Sequence, residues 1–313
     1  MTTSVYDLII IGGGPAGSAA GVYAARKRLK TLLLTNDFGG QSVVSPDIHN
    51  WIGTPSISGI DLAESFKKHL QAYAEDVLEI KEGESITSIK KDSENFSIES
   101  ASGKTFIGRS ILVATGSARK KLNAINADKF EHKGITYCAS CDGPLYSDKD
   151  VIVIGAGNAG FESAAQLLAY CKSVTLLNRG SDFSKADPGT VEAVLKNEKT
   201  KVISNAETIQ VDGGDFVESL TYRDVKTEET HTIKTDGIFI EIGQVPNTGL
   251  VEGTITLNER KNIVVDPRNQ RTSTLGIWAA GDVTDGLYHQ NNIAAGDAVK
   301  ALEDIYIYLH GKN

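Results

Sequence analysis

Continuous apolar runs, helical spacing and short period-two segments follow one another along this chain, and the same order occurs twice. Tyr6–Ile11 is a β-branched run ending in glycine, the pattern of a strand buried on both faces of a parallel sheet. Pro15–Leu29 predicts a helix opened by a glycine turn, and Thr31–Leu34 a second strand. Leu62, Phe66, Leu70 and Tyr73 share one face of a predicted helix over 62–74. From Val77 to Arg109 the pattern shortens to alternating segments separated by polar turns: Ser85–Ile89, Phe96–Ile98 and Lys104–Ile107. That predicts an antiparallel meander attached to the parallel sheet. Ser110–Gly116 then returns to the sheet.

Residues 151–176 repeat the opening plan, with a strand, a glycine turn, a helix over Phe161–Tyr170 and a strand over Val174–Leu177. A second meander is predicted over 200–233, and Gly237–Gly243 echoes the strand that ends at Gly116. The remaining tail, 247–313, is too short for a third domain and is expected to complete the first. The fold class is therefore α/β, with two Rossmann-like, three-layer ββα dinucleotide-binding domains. Residues 117–246 form the second, inserted into the first (1–116 with 247–313) through hinges near Gly116-Ser117 and Gln244-Val245-Pro246.

Length and composition agree with this plan. A chain of 313 residues suits about two domains, each with its own core. Net charge is −8 and the isoelectric point about 5.3. That balance excludes nucleic acid or an anionic membrane as the main partner, since both require a basic face. No apolar run reaches the roughly 18 residues of a spanning helix, and the N-terminal Met1–Asp7 has no basic region of a signal peptide. A cytoplasmic location is the expectation.

The chemistry lies in three glycine- or cysteine-bearing motifs. Gly12-Gly13-Gly14-Pro15-Ala16-Gly17 has G-x-G-x-x-G spacing directly after a strand. Gly12 permits the tight turn, Gly14 lets the backbone approach a pyrophosphate, and Gly17 lets the helix pack closely, with its positive dipole end toward the phosphates. The acidic residue that usually holds the ribose is missing; Thr35 and Asn36 are the candidates to stand in. Gly155, Gly157 and Gly160 repeat the fingerprint. Ahead of that second strand stands Cys138-Ala139-Ser140-Cys141-Asp142-Gly143. Two intervening residues let the sulfurs close a small ring, and a following helix N-terminus would favour a thiolate near neutrality. Zinc would need two more ligands, and His49, His69, His132, His231, His289 and His310 are scattered, so redox chemistry is preferred to a metal. Cys171 reads as a small buried apolar residue.

Read together, Asp7–Gly17, Gly39-Gly40-Gln41, Asn50, Ala114-Thr115-Gly116, Cys138–Gly143, Pro246-Asn247-Thr248 and Ala280-Gly281-Asp282-Val283 occur in the order seen in low-molecular-weight thioredoxin reductases. The chain resembles that family over nearly its whole length. The resemblance implies FAD in the first domain, cradled by Gly12 to Gly17, Thr35 and Ala114 to Gly116. Gly281 and Asp282 would lie at the ribityl-phosphate region, and Gln41, Asn50, Gln290 and Asn291 around the flavin. It further implies Cys141 as the flavin-facing sulfur, Cys138 as the sulfur that attacks a partner's disulfide, and Asp142 as the acid–base group. A thioredoxin-like partner and a homodimer built through the FAD domains are implied in the same way. One small dithiol cannot meet flavin and partner at once, so the inserted domain is expected to rotate between half-reactions.

The chain also departs from the family. NADPH-using members carry H-R-R-x-x-x-R after the second strand of the inserted domain, whereas here Asn178-Arg179-Gly180-Ser181-Asp182-Phe183-Ser184 leaves Arg179 alone. Each lost charge-assisted bond to a 2′-phosphate is worth roughly 1.5–3 kcal/mol gross. The strand end lacks the Asp or Glu of an NADH site as well. Gln244 replaces the usual His, and His289 the usual Arg. Two donors follow: a nicotinamide nucleotide held by Gly155, Gly157, Gly160 and Arg179, or a reduced carrier protein such as ferredoxin, which the missing basic cluster favours. Two other function classes fit the same parts, a thiol oxidase passing electrons to oxygen and a non-enzymatic flavin redox sensor. Oxidase relatives carry His after C-x-x-C, where this chain has Asp142. A last expectation concerns the aromatic tail Ile305–His310, either an amphipathic helix packed on its neighbour or a ring cover for the flavin.

Overall fold

The computed structural model describes residues 4–311 apart from 46, 75 and 93; Met1 to Thr3, with which the N-terminal reading began, lie outside the described residues. Two compact units emerge, Met1–Ala118 with Val245–Asn313, and Arg119–Gln244. Each is built on a five-stranded parallel sheet.

In the first unit the sheet runs Ile277–Ala279, Ile111–Val113, Leu8–Gly13, Thr31–Phe38, Leu78–Glu82. The three middle strands hold Leu8, Ile9, Ile10, Leu32, Leu33, Ile111 and Leu112 with no exposed surface, as strands covered on both faces must. The helix Pro15–Arg26 and the C-terminal helix Asn291–His310 cover one face, with Ala20, Ala24, Ala298 and Leu302 in the shared core. Small residues there let the helices lie close to the sheet. On the other face lies a four-stranded sheet of Val5–Tyr6, Thr105–Gly108, Asn95–Ser100 and Ile86–Asp92, packed through Phe96, Ile98 and Phe106. The three layers of the expected fold are present.

The second unit repeats the plan. Its parallel sheet runs Ile135–Thr136, Gly237–Ile240, Asp150–Ile154, Ser173–Leu177, Thr200–Ile203, with the helix Asn158–Leu167 on one face through Phe161, Ala164 and Leu167. An antiparallel meander, Ala206–Gly213, Val217–Asp224 and Thr230–Lys234, packs on the other through Val211 and Leu220.

The same correction applies to both units. Leu78–Glu82 and Thr200–Ile203 are outer parallel strands, pairing Thr31↔Leu78 and Val174↔Thr200, although the period-two pattern assigns them to the meanders. Each has one sheet neighbour and mixes exposed with covered positions instead of forming an apolar run, so alternation here marks a sheet edge rather than a different sheet. The tail also resolves one way. Ile305–His310 ends a 20-residue helix; Ile305 and Leu309 are buried, the Tyr308 ring meets Trp278 edge-on at 5.3 Å, and Lys27 lies over Tyr306. Tyr306 stands roughly 22 Å along the helix from Asn291 at a rise of 1.5 Å per residue, which removes the tail rings from the cavity described next. No helix among the described residues is long and apolar enough to cross a membrane.

Candidate functional site

The glycine turn of the first unit is forced by contacts. Gly12 has φ +122°, and a Cβ there would overlap the Ala114 carbonyl. A Cβ on Gly17 would overlap the Gly12 carbonyl, while one on Gly14 would meet nothing. Two glycines bring strand, helix and neighbouring strand together; the third faces open space. The helix that follows starts at Gly14 without a side-chain cap, and the helix Asn291–His310 likewise starts at an uncapped Gln290. Unsatisfied N–H groups at a helix start suit an anion.

That open space is a cavity of about 630 Å³. Its lining includes Gly12, Gly14, Pro15, Ala16, Thr35, Gln41, Ala114, Thr115, Gly116, Gly281, Asp282 and Asn291, most of the residues that the resemblance nominates for FAD. Thr35 does not extend a free hydroxyl into it, because the group bonds to the Asp37 carbonyl. Gln41 donates to the Ser117 carbonyl. Asn291 accepts from Ser42 Oγ at 3.0 Å. His289 Nδ1 stands 3.4 Å from Asp282 Oδ1, so the residue replacing the family's usual Arg faces the predicted ribityl-phosphate carboxylate. Asn50 and Gln290 are not among the lining residues; Asn50 Nδ2 donates to Gln290 Oε1 at 3.1 Å, and Asn292 Nδ2 to the Asn50 carbonyl at 2.7 Å.

Asn247 and Glu84 stand out among the lining residues that were not sequence candidates. Asn247 clamps Thr115: its Nδ2 donates to the Thr115 carbonyl and its own carbonyl accepts from Thr115 Oγ1, both at 2.8 Å. The Pro246-Asn247-Thr248 motif was the available signal. Glu84, 7 % exposed and bonded to Ser102 and Lys104, had none, since it lies between two strands with no motif around it.

In the second unit Cys138 and Cys141 are joined by a disulfide with Cα atoms 5.3 Å apart. Cys138 caps the one-turn helix Ala139–Asp142, and its sulfur accepts from the Cys141 N–H at 3.2 Å. Both cysteines are half-buried. Asp142 follows directly. Thr136, from the edge strand of the parallel sheet, donates its hydroxyl to Asp142 Oδ2, while Oδ1 is buried with no hydrogen-bond partner. Burial raises this carboxyl above the ordinary range; the Thr136 bond and the charges of His132 and Arg119 oppose the rise. Cys171 is fully buried, and burial pushes its thiol up to about 11.

The same unit carries the second glycine turn, a copy of the first. Gly155 has φ +109°; a Cβ there would overlap the Glu241 carbonyl, one on Gly160 the Gly155 carbonyl, and one on Gly157 nothing. The helix again starts uncapped, at Gly157. Arg179, just past the second strand, is paired with Glu207 at 3.3 Å.

A disulfide and a dinucleotide turn in one unit, in a chain carrying two such turns, define a class of proteins that couple nucleotide cofactors to dithiols. The chain belongs to the pyridine nucleotide-disulphide oxidoreductase family, whose profile matches residues 6–298. It is 39 % identical over 305 residues to an alkyl hydroperoxide reductase subunit of Escherichia coli (strain K12), and 35 % identical over 304 residues to an NADH dehydrogenase of Bacillus subtilis (strain 168). Both alignments cover 97 % of this chain but 58 % of the relative, so the chain spans little more than half the length of these curated relatives. Among solved structures, the thioredoxin reductase of Streptococcus pyogenes MGAS5005 superposes with a TM-score of 0.89 at 29 % identity, covering 99 % of this chain and 100 % of that one.

Proposed function

We propose that this chain is a flavin-dependent disulfide reductase that passes electrons from a pyridine nucleotide through Cys138–Cys141 to a protein disulfide of the thioredoxin kind. The observation that carries this reading is the half-exposed disulfide followed directly in the chain by Asp142, with a carboxyl oxygen buried and unpartnered. The fold shared with a thioredoxin reductase supports it.

The cavity of the first unit fits FAD in its chemistry. A glycine turn leaves backbone N–H groups open, two uncapped helix starts on the cavity suit an anion, and Asp282 supplies an acceptor for hydroxyls. Bound there, FAD supplies the two-electron capacity that lets a nucleotide and a dithiol exchange electrons. The chain's own groups carry the exchange with the partner. The Cys138 thiolate attacks one sulfur of the partner disulfide, and the partner's other sulfur leaves as a thiolate. Cys141 then attacks the mixed disulfide, restoring Cys138–Cys141 and releasing the second partner thiol. Asp142, whose carboxyl burial favours the protonated form, provides and recovers the proton at the departing sulfur. The motifs shared with thioredoxin reductases also favour a homodimer as the working form.

The donor reading rests on the second glycine turn, which reproduces the first contact for contact, and on a relative named for NADH. A ferredoxin-type donor is the competing reading because Arg179 is already paired. Anaerobic mixing of the flavin-loaded protein with NADH, NADPH and reduced ferredoxin, followed by flavin absorbance, separates the two. Bleaching by a nicotinamide nucleotide is the expected result, and bleaching by ferredoxin alone would overturn it. In the same protein, Cys138→Ser should keep its flavin spectrum and lose turnover of a thioredoxin disulfide; undiminished turnover would refute the exchange role.

A further inference from the structure

In a β-α-β dinucleotide site, whatever follows the second strand meets the adenosine ribose. A carboxylate there binds a free 2′-hydroxyl, and a guanidinium accommodates a 2′-phosphate. In this chain the strand Ser173–Leu177 is followed by Asn178-Arg179, so no carboxylate stands in its usual place and the one guanidinium there is already paired with Glu207. The structure supplies a carboxylate from elsewhere.

Backbone bonds fasten the start of the meander to the loop after Leu177. Ala206 N–H donates to the Asn178 carbonyl at 2.9 Å and Asn205 N–H to the Gly180 carbonyl at 3.0 Å. Asn205 makes the turn between them with φ 58°. The next residue but one is Glu207. One carboxylate oxygen lies 3.3 Å from Arg179 Nη2; the other accepts from Arg223 Nη2 at 2.6 Å, directly across the antiparallel pair. Arg223 also holds Glu228 at 2.9 Å. Two guanidinium groups are thus matched by two carboxylates. Asp182 stands in the same loop, its oxygens bonded to Ser184 N–H and Oγ. A 2′-phosphate, with nearly two negative charges, would have to share or break the Glu207–Arg179 pair and sit beside a like charge. A 2′-hydroxyl would only donate to Glu207.

We propose that Glu207 sets the nucleotide preference of the second unit: its carboxylate, carried on the meander and seated beside Arg179, accepts the ribose 2′-hydroxyl and repels a 2′-phosphate. The favoured ligand class is the unphosphorylated dinucleotide. The inference rests on the pyridine-nucleotide reading of the Gly155–Gly160 turn.

The test is calorimetric titration of the oxidised, flavin-loaded protein with NAD+ and with NADP+, which reads binding without turnover. The native protein should bind NAD+ the more tightly. Glu207→Gln should move the ratio of the two dissociation constants toward NADP+ by about tenfold, the loss of one charge-assisted contact for one ligand and of one repulsion for the other. Glu228→Gln, which touches Arg223 but not Arg179, should leave the ratio within about threefold on the same scale. A native preference for NADP+, an unchanged ratio in Glu207→Gln, or an equal shift in Glu228→Gln would each overturn the proposal while leaving the nucleotide reading intact. A native protein that binds neither nucleotide would overturn both.

Discussion

At the scale of single residues, Asp142 shows how burial prepares a group for proton transfer. The pair Thr136–Asp142 satisfies one carboxylate oxygen and leaves the other dry. An ordinary aspartate titrates near 3.9; in the folded chain burial lifts this one above that value. The folded state therefore keeps its proton to higher pH than the unfolded state does. Stability is fully retained below the ordinary carboxylate value and falls as pH rises through the raised one. Asp142→Asn cannot ionise, so its melting temperature should match the native protein's in acid and exceed it toward neutral pH. The gain should be about 2–4 °C for each kcal/mol, and thermal scans across pH would show a constant offset instead if the carboxyl did not titrate in this way. The same variant should lose roughly 100-fold or more in thioredoxin-disulfide turnover. Greater stability together with lower activity would identify a strained functional group rather than a packing residue.

Among elements, the two glycine turns are internal controls for one another. Both place a glycine where a Cβ would strike a backbone carbonyl across the turn. Overpacking of this kind costs typically about 1–3 kcal/mol, here concentrated at the phosphate cradle. Gly17→Ala should therefore lower the flavin content of purified protein, whereas Gly160→Ala should leave flavin content at the native level and weaken nucleotide binding. Spectrophotometric flavin-to-protein ratios check both, and equal flavin loss in the two variants would break the assignment of one cofactor to each turn. These turns were legible in the sequence because glycine spacing after an apolar strand encodes close backbone approach, a local property. The cysteine pair was legible for the same reason. Leu78–Glu82 and Thr200–Ile203 were not, since a parallel edge strand and a meander strand present the same alternation. Glu207 and Thr136 were invisible because their roles arise from contacts across the fold. Glu207 gains its meaning from Arg179, 28 positions earlier, and no spacing rule joins a meander residue to a loop of the parallel sheet.

For the whole molecule, the duplication has a thermodynamic signature. Each unit carries its own apolar clusters. One set gathers Ile10, Leu33 and Trp278 on one side of its sheet and Phe96 and Ile98 on the other; the second set gathers Ile152 and Leu220, and Phe161 and Val174. Cores of this independence can unfold as separate cooperative blocks. A ligand that binds only the folded form stabilises by about 4 kcal/mol at a thousandfold excess over its dissociation constant. Scanning calorimetry is therefore expected to show two transitions, with added FAD moving one and added NAD+ the other. A single transition moved by both ligands would mean that the units unfold as one.

The silent third cysteine turns this into a chain whose redox state can be counted. Cys171 has no exposed surface and a thiol pushed up to about 11, so at neutral pH a thiol reagent acting on the native fold has nothing to gain there. Of three cysteines in the sequence, only the two of the disulfide can report. Label incorporated into the folded protein then reads the dithiol directly: none when Cys138–Cys141 is closed, two groups for every pair of electrons that passes the flavin and reaches the disulfide. Each donor can be scored by stoichiometry as well as by colour, without any partner protein present.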